Sequence, residues 1–380
     1  MRLALVMFIL TLLELWVLKW GLKLGRRWTL GLALIFLVFL LPLPYLAWLI
    51  QNGKLPGFWV ALFIIRPSFA WHFNWLAFLV FIAPIVVFCR LCSIIFHSNT
   101  FIKFSRIMVI LVILFWGLVS IYGLAMTIKA PIVEKYELSI KGLSPKDDGL
   151  RIVQLSDLHI SWWTSKEEVD RVSKLVSELN PDLLLITGDI VDHNPEFVRE
   201  LGESFKELHP RLGKFAIIGN HDVYTGAEQI AERMKAINFK MLGGECFSLI
   251  NKGADLALAG MDDSGERWTG ADPREKEIPK ILDQCHKGLP IIWLGHRSSG
   301  FEQIKGLPVA LTLTGHTHGG QLRLPFGGPG LAHLRFNYTA GLYQENGQFL
   351  YVSRGIGTVG WPFRIACPPE ITLIVLGSGQ

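Results

Sequence analysis

Apolar residues are distributed in two different ways along this chain. Up to about residue 128 they run almost without interruption. Beyond about residue 133 they come in bursts of four or five, each closed by polar residues. Residues 28–50 carry no charge over 23 positions, and residues 107–128 none over 22. A bilayer span needs about 20 mostly apolar residues, so both runs predict transmembrane helices, with Pro42 and Pro44 kinking or ending the first. Residues 3–18, apolar except for Thr11 and Glu14, and residues 75–89, with Pro84 inside, complete a set of four spans. Residues 57–65 are too short to cross and are closed by Arg66 and Pro67. They are expected to lie in the interface or to re-enter the bilayer. A cleaved signal peptide is disfavoured, because Arg2 is a poor basic start and no small-residue cleavage site follows Leu18.

The second pattern reads as alternating strands and helices. Residues 136–140 alternate as in a strand, and residues 151–155 form a short apolar strand. Residues 166–179 place Val169, Val172, Leu175, Val176 and Leu179 at helical spacing. Strands are predicted at 183–186, 215–218, 291–294 and 309–313, with a helix from Asn194-Pro195 to about Leu208. The βαβαβ order implies parallel strands whose ligands gather at their carboxyl ends. The chain thus divides into a multi-pass membrane domain over residues 1–130 and a second domain over 131–380.

Composition sharpens this division. Hydrophobic residues make up 51% of the 380 and charged ones 18%, below the roughly 25% of soluble chains. The net charge of +5 suggests an acidic partner until it is located. Residues 1–128 hold ten Lys or Arg and only Glu14 as an acid, a net of +9, and the remainder carries −4. No nucleic-acid partner is therefore expected. Lys19, Lys23, Arg26 and Arg27 crowd the first loop, and Arg90, Lys103 and Arg106 the third, whereas the second has Lys54 and Arg66. By the bias of basic residues toward the cytoplasm, four spans put both termini and the second domain on the outer side. Glu14 is either a functional intramembrane acid or one hidden against a neighbouring helix. Cys89 and Cys92 suit packing or acylation better than redox chemistry. Cys246, Cys285 and Cys367 suggest neither a disulfide framework nor a zinc cluster.

The candidate chemistry sits where the apolar bursts end. Five strands run directly into Asp157 and His159, Asp189, Asn220 with His221 and Asp222, His296, and His316 with His318. A single histidine at such a place is ordinary. Five metal-competent groups at equivalent strand ends are hard to obtain from structural need alone. Gly188, Gly219, Gly295 and Gly315 beside them allow tight turns. Carboxylate, amide and imidazole donors without thiolate suit Mn, Fe or Zn.

Asp157-x-His159, Gly188-Asp189-x-x-Asp192, Gly219-Asn220-His221-Asp222, Gly295-His296 and Gly315-His316-Thr317-His318 resemble the five signature blocks of the calcineurin-like metallophosphoesterases, in order and spacing. Residues 315–325 and 353–371 are similar to a bacterial membrane-associated branch near the chlamydial UDP-2,3-diacylglucosamine pyrophosphatases. The resemblance covers about residues 134–380. It implies a four-layer α/β/β/α sandwich behind the all-α membrane domain, and a centre of two divalent metals, manganese among the candidates. Asp157, His159 and His318 would hold one metal, Asn220, His296 and His316 the other, and Asp189 would bridge them. The metals would polarise the phosphoryl group and supply hydroxide for in-line attack. His221 would stabilise charge or protonate the leaving group, with Asp222 orienting it and Asp192 in supporting contact with the ligands.

Other features read less sharply. Gly355, Gly357 and Gly360 match a dinucleotide fingerprint, but Trp361-Pro362 follows instead of a helix. Asp262-Asp263 reads as a loop pair, and His193, His209, His286 and His333 as surface residues. Trp162 and Trp163 rim the site or pack beneath its loop, and Arg297, Arg323 and Arg354 are candidate second-phosphate contacts. The function expected is a phosphoesterase of a bacterial cell membrane, hydrolysing phosphodiester or pyrophosphate bonds, with membrane lipids as partners and a lipid-linked substrate favoured. The alternatives are a soluble nucleotide or phosphomonoester substrate with the spans as a tether, and a non-catalytic membrane sensor or scaffold.

Overall fold

The computed structural model describes residues 2–52, 54–266, 269–360 and 363–378. The apolar front of the chain is helical apart from short connections: α1 (Arg2–Leu22), α2 (Arg26–Leu40), α3 (Pro42–Gln51), α4 (Phe58–Val60), α5 (Arg66–Ile95) and α6 (Thr100–Ile128). Among the described residues, three runs are long and apolar enough to cross a membrane: Arg26–Leu49, Phe58–Ile95 and Thr100–Ile128. The first is interrupted at Leu41, and Pro42 begins α3, where the missing N–H costs the helix ladder least. Ser68 Oγ and His72 Nε2 of α5 bond the carbonyl of Phe39 near this break.

Residues 57–65 depart from the sequence expectation. They do not stop at Arg66-Pro67. A π-helical turn, Ala61–Ile65, joins α4 to α5, and Pro67 falls in the first turn of α5, so the run is continuous over 38 residues. The wide turn accommodates a ring that an α-helical interior would reject. The buried core of this unit is formed by Val17 and Leu18 of α1, Phe36 of α2, Phe78, Leu79, Ile82 and Val86 of α5, and Val109 of α6. Glu14 is buried, as are Cys89 and Cys92, which pack rather than present a thiol for acylation.

The second unit contains two six-stranded mixed sheets. The first comprises, in chain order, β1 (Ile132–Ile140), β2 (Arg151–Leu155), β3 (Leu183–Thr187), β4 (Gly213–Ile217), β5 (Phe239–Met241) and β12 (Glu370–Ser378). The second comprises β6 (Glu245–Ser248), β7 (Ala257–Gly260), β8 (Ile291–Leu294), β9 (Val309–Thr314), β10 (Gly341–Glu345) and β11 (Gln348–Val352). Their spatial orders are β1-β12-β2-β3-β4-β5 and β10-β11-β9-β8-β7-β6. The site-bearing strands β2, β3 and β4 are mutually parallel, as are β8 and β9.

Period-two alternation decides which layer each strand residue serves. In β3, Leu183 and Leu185 face the other sheet, where they meet the cluster containing Leu258, Ile292, Leu294, Leu311 and Leu313. Leu184 and Ile186 face outward onto α7 (Lys166–Glu178), α8 (Val198–Ser204) and α9 (Asn220–Ala236), through Val172, Val176, Leu201, Ile230 and Met234. The outer face of the second sheet is covered by α10 (Ile278–Leu282) and α11 (Phe301–Ile304), through Ile281 and Phe301 against Trp293 and Leu350. The result is an α/β/β/α sandwich. A capping box starts α7: Ser165 Oγ accepts from Glu168 N at 3.2 Å, and Glu168 Oε2 accepts from Ser165 N at 2.8 Å.

Cys246 and Cys285 form a disulfide with Cα atoms 5.2 Å apart. The sequence gives no sign of it. The pairing spans 39 residues and depends on β6 lying beside the chain that follows α10, which is a tertiary fact.

Candidate metal centre

Three strands of the first sheet and two of the second end at one place, so the candidate site is shared between sheets. Gln154, fully buried on β2, ties them, because its amide donates to Thr187 Oγ1 and to Thr314 O, both at 2.9 Å. Asp262 Oδ1 accepts from Ile218 N at 2.8 Å and Asp263 N donates to Ile218 O at 3.0 Å, joining the loop after β7 to the end of β4.

Five of the seven expected ligands adopt left-handed backbone: Asp157 (φ 51°), His159 (46°), Asp189 (51°), His316 (68°) and His318 (50°). That conformation is costly for a residue bearing Cβ, and clusters of it mark functional sites. It turns the chain sharply at each strand end.

The side chains converge in two groups. Asp157, His159 and His318 form one, with His159 Nε2 and His318 Nε2 3.0 Å apart and His318 Nε2 3.4 Å from Asp157 Oδ1. Asp189, His296 and His316 form the other. There His296 Nε2 lies 3.1 Å from Asn220 Oδ1 and 3.2 Å from His316 Nδ1. Asp189 Oδ2 is 3.6 Å from His159 Nε2 and 3.2 Å from His296 Nε2, between the groups. Its other oxygen accepts from His221 N at 2.8 Å.

Hydrogen bonds outside this cluster set the tautomers. His159 Nδ1 donates to Asp192 Oδ2 at 3.1 Å, and His296 Nδ1 to Thr187 O at 2.8 Å. Each leaves an Nε2 lone pair aimed inward, as a metal ligand requires. Nitrogen facing nitrogen at 3.0 Å beside buried carboxylates is an arrangement that a cation satisfies. This donor set of carboxylate, amide oxygen and imidazole fits divalent metals.

The electrostatics agree. Burial pulls His159 down, but Asp192, Asp189 and Asp157 outweigh it and raise its pKa to about 9. Burial opposes His296 likewise, and Asp189, Asp157 and Asp263 raise it to about 10. Burial acts to raise Asp189, yet His296, His159 and His221 hold its carboxyl well below the usual range. Without metal, the acids keep two histidines charged.

The role expected of Asp222 toward His221 belongs to Asp192, which also keeps its expected contact with the ligand His159. His221 Nδ1 bonds Asp192 Oδ1 at 2.8 Å, not Asp222. Asp222 lies in the first turn of α9 and faces back: it accepts from Gly219 N at 2.9 Å, Ile190 N at 2.9 Å and Val191 N at 3.1 Å. It therefore fixes the backbones of two ligand loops. Burial first, then Asp189, pushes it up to about 7 against those donors.

The expected substrate contacts are largely committed elsewhere. Arg297 is buried and pairs with Asp263 at 2.6 and 2.7 Å, with Glu266 O and Gly270 O as further acceptors. Arg354 bonds Glu370 and Glu134. Arg323 donates to Gly327 O and Gly328 O, closing its own turn. Trp162 is buried with its ring stacked on His193 at 4.2 Å, and Trp163 meets Trp162 edge-on. His193, His209, His286 and His333 are exposed.

Sequence reasoning missed the segment that backs the first ligand block. Ile356 N donates to Ser156 O at 3.1 Å and Gly357 N to Asp157 O at 2.7 Å. A Cβ on Gly355 would lie 2.6 Å from Asp157 Cβ, and one on Gly357 2.5 Å from Leu158 O. The G-x-G pair is thus a backbone approach to Asp157 and His159. Residues 361 and 362, invoked against a dinucleotide fold, lie outside the described residues. Arg364, fully buried, locks the segment by donating to the carbonyls of Arg354, Gly355 and Gly357, with Nη2 3.4 Å from His318 Nδ1. The signal available in the sequence was the close spacing of these glycines before an isolated arginine.

Residues 150–320 match the family of calcineurin-like phosphoesterases. A metallophosphoesterase of Aquifex aeolicus is 34% identical over 65% of this chain and 93% of its own length. The metallophosphoesterase YkuE of Bacillus subtilis is 34% identical over 68% of this chain and 90% of its own. A zebrafish "Transmembrane protein with metallophosphoesterase domain" is 32% identical over 70% of this chain, which spans 62% of that protein.

Proposed function

Since the chain belongs to the calcineurin-like phosphoesterases, a family of two-metal phosphoester hydrolases, we propose that it cleaves a phosphodiester or pyrophosphate bond of a lipid-linked substrate at a membrane surface. The observation that carries the two-metal reading is Asp189 Oδ2, set between His159 Nε2 and His296 Nε2. Asp157, His159 and His318 would hold one divalent metal and Asn220, His296 and His316 the second, with Asp189 available to both. When bound, such metals supply Lewis acidity toward a phosphoryl oxygen and lower the pKa of water. His221 is only partly buried, with 28% of its side chain open. Its Nδ1–H is held by Asp192, so Nε2 is the atom that meets the phosphoryl group or the leaving oxygen.

The three apolar helical runs support a substrate that resides in the membrane. Arg90, Lys103 and Arg106 flank the turn between α5 and α6, which favours that turn on the cytoplasmic side. One helix then leads to the catalytic unit, which supports the outer face for it. The Cys246–Cys285 disulfide supports the same side, since such bonds persist in oxidising compartments.

Full-length protein supplied with Mn²⁺ should hydrolyse bis(p-nitrophenyl) phosphate, and Asp189→Asn and His221→Ala should each abolish it. Undiminished turnover in both variants would overturn the proposed roles. Mass spectrometry of lipids extracted from cells lacking the protein should show one phosphorylated lipid accumulating, and an unchanged lipid profile alongside an accumulated soluble nucleotide would refute the lipid substrate.

A further inference from the structure

The loop that leaves His318 carries four large apolar side chains in open solvent. Phe326 is 105% exposed, Leu334 86%, Leu324 61% and Leu331 55%. Residues 324–334 contain no charge and are bracketed by Arg323 and Arg335, and no acid occurs from residue 303 to 344.

This loop is held by its own bonds, so the exposure is built in. Leu324 N donates to Pro329 O at 3.0 Å, Leu331 N to Leu322 O at 3.3 Å, and Arg323 pairs with Gly330. The Arg323 guanidinium closes the tip on Gly327 O and Gly328 O, each at 3.1 Å. Both ends are anchored at the site: Gln321 exchanges two hydrogen bonds with Val359, and Phe336 packs edge-on against His316 with ring centroids 5.6 Å apart. A rigid loop that shows leucine and phenylalanine to water forgoes about 1.5–3 kcal/mol of burial for each such side chain, which calls for an apolar environment outside the fold.

Connectivity identifies that environment. Arg323 N donates to Ile365 O at 2.9 Å, and Leu322 pairs with Ile365. Four residues on, Ile132 N donates to Pro369 O at 2.9 Å as β1 begins beside β12. Ile132 lies four residues beyond Ile128, the end of the apolar helix α6, a reach of at most about 14 Å. The loop base thus shares an edge of the sandwich with the strand that emerges from a membrane-crossing helix. Apolar tips between basic flanks are the usual composition of segments that enter a bilayer interface.

We propose that residues 322–336 dock into the bilayer interface, with Leu324, Phe326, Leu331 and Leu334 among the acyl chains and the exposed Arg335 toward anionic headgroups. Docking would seat the mouth of the metal centre against the membrane surface, whichever phosphoester the enzyme cleaves.

The test uses the full chain in nanodiscs of phosphatidylcholine and phosphatidylglycerol, three to one, one copy per disc. Phe326→Cys and, separately, Leu334→Cys are labelled with nitrobenzoxadiazole. Lys287→Cys, between α10 and β8 and away from the carboxyl ends that form the site, is the reference. Labels at 326 and 334 should shift to the blue and lose at least half their emission to lipids carrying a nitroxide at acyl position 5, while 287 should do neither. Water-like, unquenched emission at both loop positions would overturn the proposal. So would a blue shift that ignores the nitroxide lipid and appears only when two copies share a disc, which would make the loop a contact between copies of this chain.

Discussion

Asp192 joins two histidines of the centre: its Oδ1 accepts from His221 Nδ1 at 2.8 Å and its Oδ2 from His159 Nδ1 at 3.1 Å. One carboxylate therefore fixes the tautomer of a metal-site imidazole, His159, and of the partly exposed His221. Asp222, which the sequence places beside His221, serves the backbone instead. The two aspartates should separate in experiment. Asp192→Asn should lower kcat by about 10–100-fold and displace the pH profile with little change in Tm. Asp222→Asn should leave buried N–H groups facing an amide and cost roughly 1–3 kcal/mol, read as a fall in Tm.

The Gly355–Gly357 segment should tolerate no side chain. Gly355 has φ 69° and its Cβ position falls against Asp157. Gly355→Ala should weaken metal binding, measured by titration calorimetry, and destabilise the protein by about 1–3 kcal/mol.

Arg364→Met tests the lock on that segment. It removes the donors to the carbonyls of Arg354, Gly355, Gly357 and Cys367 and should cost roughly 1–3 kcal/mol for each acceptor left unpaired. Arg364→Lys should recover only part of this, because an ammonium cannot match the planar fork. Thermal unfolding of both variants checks the order.

Acidity should compete with metal. The pKa values of His159, about 9, and His296, about 10, lie above the ordinary 6.5. In metal-free protein their ion pairs are fully present below about pH 6.5 and are lost as pH rises through 9 to 10. The Tm of chelator-treated protein should therefore fall over that upper range. Metal affinity should rise with pH up to the same limit, by about tenfold per unit for each proton displaced. Calorimetry in buffers of different ionisation enthalpy counts those protons.

The disulfide closes a loop of 39 residues, for which chain entropy gives about 4 kcal/mol. Cys246→Ser should lower Tm accordingly. In intact cells, an impermeant maleimide should label Cys285 in that variant and neither cysteine in the parent.

How much of this was legible in sequence follows the range of the interactions. The strands at 151–155 and 291–294 were read to the residue, because each is an uninterrupted apolar burst between turn residues, and α7 within one residue at its end. The strands β5, β6, β7, β10, β11 and β12 were not read, since most are only three to five residues long and none runs into a recognisable motif. Helix α9 begins inside the third motif, whose polar residues mask its start.

The sequence by itself determined the division into an apolar helical front and a back half of alternating strands and helices, and which residues end the site strands, since uncharged length and local periodicity are properties of neighbouring residues. Tertiary structure alone decided that those strands belong to two sheets, that Asp192 rather than Asp222 holds His221, that Arg297 answers Asp263, and that a distant G-x-G segment backs Asp157. Each of these depends on a partner 29 to about 200 positions away. A hydrogen bond fixes distance and direction in space, and chain separation leaves no periodic trace of it.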